Sequence, residues 1–160
     1  MNVRLFKGKE DHELMMTVLR FAIGSVFLWF GVDKWIHPAV WYGWIPAWLI
    51  AMLPKDGGLD SFIYVNGIFE CIVGIAFVAN RFVRQAAACA GTFLLMVTLV
   101  AGVNEVTIRD NALLGACLVL FVSANTRATR RVSQETITTI CAFYVFYLFV
   151  YGVLYLRVGS

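Results

Sequence analysis

A carboxylate at position 70 falls near the middle of the apolar run from Phe62 to Ala79. At about 1.5 Å of helical rise per residue, such a run crosses a bilayer and sets Glu70 near its centre. Ionisable groups at that depth are rare; they face protein or trapped water and mark places where protons or ligands are handled. Glu70 is therefore the candidate catalytic residue, as a proton exchanger. Asn66 lies one turn before it on the same helix face. Gly67 and Gly74 lie on or near that face, and small residues let a neighbouring helix approach, so the face is expected to point into a bundle.

The other polar residues gather at the ends of apolar runs. Asp33, Lys34 and His37 end the first run, Asp60 opens the second, Asn104 and Glu105 end the third, and Arg109, Asp110 and Asn111 open the fourth. An alternating topology puts all of these on one side of the membrane. The pattern predicts a polar pocket open to that side, floored by Glu70 and rimmed by Lys34 and Arg109. Lys34, Arg109, Asp33, Asn66 and His37 are the candidate substrate-binding residues, with Trp35, Trp41 or Trp44 lining the entrance. Glu105 and Asp110 are read as structural, Glu105 as an i,i+4 partner of Arg109. Arg20, about one turn inside the opposite face, either snorkels to headgroups or meets a partner on a neighbouring helix.

Cys71, Cys89, Cys117 and Cys141 fall in four different runs with no CxxC or CxxH spacing, which reads as packed thiols. His12 and His37 flank the first run on opposite sides, so one subunit cannot use both on one haem. No metal site and no covalently bound cofactor are expected.

These residues must be positioned by helices in lipid. Of 160 residues, 61% are hydrophobic and 14% charged, with a net charge of +3, and the mean hydropathy is +0.78. A soluble domain carries about 25% charged residues. The basic residues form no dense cluster, so nucleic acid is excluded as a partner. The whole chain, 1–160, reads as one all-α membrane domain. Spans are expected at Leu14 to about Ile36, Ser61 to Ala79, Ala86 to Val103, about Asn111 to Ala124, and Thr136 to Leu156. The stretch from Trp35 to Pro54 holds all three prolines and four of the five tryptophans. It reads as an interfacial or re-entrant segment with a short helix around Ala47 to Leu53. Five spans with the N-terminus inside leave Arg81, Arg84, Arg127, Arg130 and Arg131 on the cytoplasmic side, as the positive-inside rule requires, and put the C-terminus outside. The protein is thus expected in the cell membrane. Its N-terminal segment, acidic as well as basic, does not read as a cleaved signal.

The order of features resembles the DoxX/DoxD family of small membrane proteins. Arg20 precedes Gly24 and Phe27; then come Phe30-Gly31-Val32-Asp33-Lys34, His37-Pro38 with Trp41, and Trp44-Ile45-Pro46. Asn66-Gly67-Ile68-Phe69-Glu70, Gly74 and Arg81 follow, and finally Arg109-Asp110-Asn111-Ala112-Leu113-Leu114-Gly115. The resemblance covers roughly residues 14–124. It implies a four-helix membrane bundle, with Arg20, Lys34, Glu70 and Arg109 at recurrent polar positions and 136–156 as an additional helix. It also implies membrane redox settings, since the DoxD branch is associated with thiosulfate:quinone oxidoreductase. The leading expectation is an accessory subunit of a larger membrane oxidoreductase or energy-converting complex, contacting the lipid bilayer and, through 136–156, other membrane subunits. The alternative is a quinone- or thiol-linked redox subunit whose pocket takes a quinone or lipid. A small-solute carrier is the third reading.

Overall fold

A computed structural model describes residues 9–102 and 104–128; the expected fifth helix, 136–156, lies outside the described residues. The chain forms α1 (Lys9–Ile36), α2 (Pro38–Trp41), a 3₁₀ turn (Tyr42–Trp44), α3 (Ala47–Met52), α4 (Gly58–Val78), α5 (Val83–Ala101) and α6 (Glu105–Ala128). Among the described residues, α1, α4, α5 and α6 are long and apolar enough to cross a membrane. Their outer faces carry exposed side chains that water would not tolerate in such number, among them Trp29, Val65, Ile72 and Leu99. The protein is a multi-pass helical membrane protein.

Each boundary has a local cause. Glu10 and Asp11 sit in the first turn of α1 and Lys34 in its last, matching the helix dipole. Pro38 forbids α1 to continue and instead opens α2, where its missing N–H costs nothing. Gly57, at φ +73°, supplies the left-handed residue that turns the chain into α4. Between α4 and α5 the turn is made by Asn80 and Phe82, both left-handed at φ 55° and 53°.

Among the described residues the first four expected spans appear with shifted ends, and the largest shift is in the fourth. Expected to begin at about Asn111, it begins at Glu105. Asn104 is the reason. Its Oδ1 accepts the backbone N–H groups of Val106 and Thr107 at 2.9 and 3.0 Å, while Thr107 Oγ1 accepts the Asn104 N–H at 3.0 Å. This reciprocal cap satisfies orphan donors and lets a polar turn be helical. Trp35 and Ile36 still belong to α1, and the connector from 37 to 54 holds the short helix expected around Ala47 to Leu53 together with a second short helix, α2, and a 3₁₀ turn.

The bundle is two close pairs, α1 with α4 and α5 with α6, that touch one another more sparsely. Glycine makes the first pair possible. A Cβ on Gly31 would lie 2.8 Å from the Gly67 carbonyl oxygen, and one on Gly74 would lie 2.9 Å from that of Gly24. On α5 the small residues Ala86, Ala87 and Ala90 are buried. The facing stripe of α6 is Leu114, Cys117 and Leu120, whereas Gly115 and Ala116 are only half-buried beside it. Ile23, Phe27, Val73 and Phe77 complete the core. That core fills one half of the bundle, the end marked by Arg81 and Arg84. Toward the α2–α3 end the pairs diverge.

Candidate functional site

Where the pairs diverge they enclose a cavity of about 460 Å³. Phe27, Phe30 and Lys34 of α1, Asn66 and Glu70 of α4, Leu94 and Val97 of α5, and Thr107, Arg109 and Asp110 of α6 form its walls. Trp41, Trp44 and Trp48 of the connector also line it. The walls are mainly apolar, and the polar groups are few and convergent, which is the usual build of a ligand site.

Lys34 Nζ donates to Glu70 Oε2 at 2.6 Å, and both side chains are more than nine-tenths buried. Helix direction explains the meeting. With Gly31 against Gly67 and Gly24 against Gly74, Lys34 stands about 9 Å above Glu70 along the pair. Side chains lean toward the N-terminus of their own helix. On antiparallel helices Lys34 therefore leans down and Glu70 leans up, and their combined length closes the gap. The rim position expected for Lys34 is corrected accordingly: it is part of the floor.

Lys34 Nζ also lies 3.7 Å from the centre of the Trp41 ring, on its face. Trp41 is itself fixed. Its Nε1 donates to Asp33 Oδ2 at 2.9 Å, and its ring meets Phe30 edge-on at 5.5 Å. His37 Nδ1 lies 3.0 Å from Asp33 Oδ1. Asp33 and His37, expected to touch substrate, are thus outside the cavity wall: Asp33 holds Trp41 in place and His37 pairs with Asp33. Tyr42 donates its hydroxyl to Asp60, tying the 3₁₀ turn to the start of α4; accepting that bond, the Asp60 carboxylate holds the Tyr42 phenol above its ordinary range.

Arg109 is half-exposed at the rim, where it was expected. Its guanidinium lies over the Phe30 ring at 5.1 Å. It pairs loosely with its neighbour Asp110, Nη2 to Oδ1 at 3.6 Å, and not with Glu105, which is exposed at the start of α6. Asp110, expected to be structural, is buried in the cavity wall. Asn66 also lines the cavity, but its amide donates to the Phe62 carbonyl of its own helix at 2.7 Å. Arg20 is remote. Its guanidinium donates to the Phe77 carbonyl at 3.4 Å and to Thr17 Oγ1 at 3.1 Å, binding α1 to the C-terminal end of α4. The sharper of its two expected roles, an intrabundle partner, is the observed one.

Of the three tryptophans expected at the entrance, Trp35 does not line the cavity. It stacks on Tyr64 at 4.9 Å and packs against Gly67. Phe30 and Trp48 do line it, and neither was singled out beforehand. Phe30 had a readable signal, since it lies one turn before Lys34 on the same face of α1.

A family model described as DoxX matches residues 15–103. The chain belongs to the DoxX family. The DoxX match takes in α1 through α5, hence Arg20, Lys34, Asn66 and Glu70, and ends before Arg109 and Asp110. No curated protein and no solved structure matches the chain.

Proposed function

We propose that this DoxX protein is a membrane subunit of a redox assembly and that its cavity holds the headgroup of a quinone. The observation that carries this reading is a largely apolar chamber of about 460 Å³ whose charged groups balance. Lys34 is matched by Glu70 and Arg109 by Asp110. A small anion would need uncompensated positive charge. A neutral ring with carbonyl oxygens needs apolar walls, aromatic faces and one or two donors. Phe30, Trp41, Trp44 and Trp48 supply the faces. Arg109, half-exposed and loosely paired, supplies N–H donors to a carbonyl oxygen, and Glu70 is the group that exchanges the proton. Electrons are assigned to a partner subunit, which makes the chain accessory to that partner.

Quenching of tryptophan fluorescence by a short-tailed benzoquinone, with the full chain in nanodiscs, tests the reading. Saturable quenching is expected, weakened about 10- to 100-fold by Arg109→Ala, the range for losing a hydrogen bond from a charged donor. Quenching that never saturates, or that Arg109→Ala leaves unchanged, sinks it.

The proposed setting is the cell membrane, with the N-terminus in the cytoplasm and the cavity mouth outside. Arg81 and Arg84 lie at the packed end of the bundle, where α1 begins, and the positive-inside rule puts that end in the cytoplasm. In a cysteine-free background, Asp56→Cys is expected to react with an impermeant maleimide added to intact cells and Arg81→Cys is not. Labelling at position 81 alone inverts the topology.

A further inference from the structure

Lys34 combines four properties, and the quinone reading gives its amine no chemistry of its own. Its side chain is more than nine-tenths buried, it borders a cavity with mainly apolar walls, its nitrogen is 2.6 Å from a carboxylate, and an indole face lies 3.7 Å away. An amine so placed has a base to remove its proton and a counterion to remain with its cation. It also has a π-face that favours a positive nitrogen.

We propose that Lys34 forms a Schiff base with a membrane-borne long-chain aldehyde, Glu70 serving first as base and then as counterion. The step balances without any further reagent. Glu70 takes one proton from the Lys34 ammonium, and the freed amine attacks the aldehyde carbon. The N–C bond forms, and a second amine proton moves to the carbonyl oxygen, giving a carbinolamine. The C–O bond then breaks. The departing hydroxide takes back the proton held by Glu70 and leaves as water. What remains is an iminium N–H on the Glu70 carboxylate, with the cation against Trp41. No electrons are transferred. Two features favour the adduct over free aldehyde: mainly apolar surroundings limit the water that hydrolyses an imine, and the counterion is already in position, so little reorganisation accompanies the reaction. The alkyl chain extends along Phe27, Leu94 and Val97, whose side chains line the same chamber.

The proposal shares with the quinone reading the premise that the cavity admits a neutral amphiphile, and its test separates the two. The full chain in nanodiscs is treated with hexadecanal and sodium cyanoborohydride, and hexadecyl-lysine is mapped by peptide mass spectrometry. Lys55, exposed in the connector before α4, is the internal reference. Labelling of Lys34 well above Lys55 is expected in the wild-type chain. Glu70→Gln should slow it by about 10²-fold, as loss of a general base does, while Lys55 is unaffected. Lys34 labelled no more than Lys55 in the wild-type chain overturns the proposal without recourse to any variant. Preferential labelling that Glu70→Gln leaves unchanged overturns the role given to Glu70. Preferential labelling in a protein that binds no benzoquinone removes the quinone reading and leaves this one standing.

Discussion

Glu70→Ala is expected to destabilise the bundle by about 3–5 kcal/mol, because it strands a buried ammonium with no counterion. Lys34→Met is expected to cost a similar amount by stranding the carboxylate. The double replacement Lys34→Met with Glu70→Leu should recover most of the loss, since two apolar side chains then fill space inside lipid with no charge left to satisfy. The interior placement of the pair decides this. An exposed ion pair is worth about 0–1 kcal/mol, and its removal would scarcely register. Here both partners are almost wholly shielded at 2.6 Å. Each has taken the place of the water that the other lost, so removing one exposes the full desolvation penalty of its partner. Unfolding of the three variants in detergent gives the coupling energy directly. Single losses that simply add in the double variant would show that the two charges do not depend on each other.

Much of this arrangement was readable in the sequence. An acidic residue inside an apolar run announces a protected polar site, and the proline- and tryptophan-rich stretch announces a break in the spans; both are where they were expected. Gly67 and Gly74, on or near the face of Glu70, pointed to the close approach of a neighbouring helix. Backbone height alone sets Lys34 at the rim. Its backbone does stand near the outer end of α1, but the lean of side chains on antiparallel helices carries its nitrogen down to Glu70, and that lean depends on which helices are neighbours. Partner choice at the rim was equally hidden. An i,i+4 spacing suggested Glu105 for Arg109, yet the turn of α6 aims Arg109 across Phe30 and leaves Asp110 as the carboxylate within reach. The start of α6 was late by a turn and a half because its first residues are polar. The Asn104 side chain makes them helical, and hydropathy carries no record of a cap. Asp33 and His37 looked like ligand contacts because they are polar and near the pocket. They act one layer out: Asp33 holds Trp41, which lines the pocket, and His37 pairs with Asp33.

Gly67→Ala should lower the melting temperature of the bundle and loosen the site, although the same replacement in a free helix is worth up to about 1 kcal/mol in favour of folding. The sign follows from what the added methyl meets. At Gly67 it would lie 2.8 Å from the Gly31 carbonyl oxygen and 2.9 Å from the Trp35 indole. The first of these is backbone, so relief requires α1 and α4 to move apart, with an overpacking cost of about 1–3 kcal/mol. Gly91 is the matched control on α5. A Cβ there would find its nearest neighbour, the Leu114 side chain, at an ordinary 3.5 Å. Gly91→Ala should therefore be neutral or stabilising. The consequence for function follows from leverage. A shift of a few tenths of an ångström between α1 and α4 stretches the 2.6 Å bond of Lys34 to Glu70 and draws Lys34 away from its base. Gly67→Ala should slow aldehyde labelling of Lys34 without changing the chemistry of either residue, while Gly91→Ala leaves it intact. Equal melting temperatures for the two variants would mean that α1 and α4 are not in backbone contact at Gly67, and the floor of the cavity would then have to be built some other way.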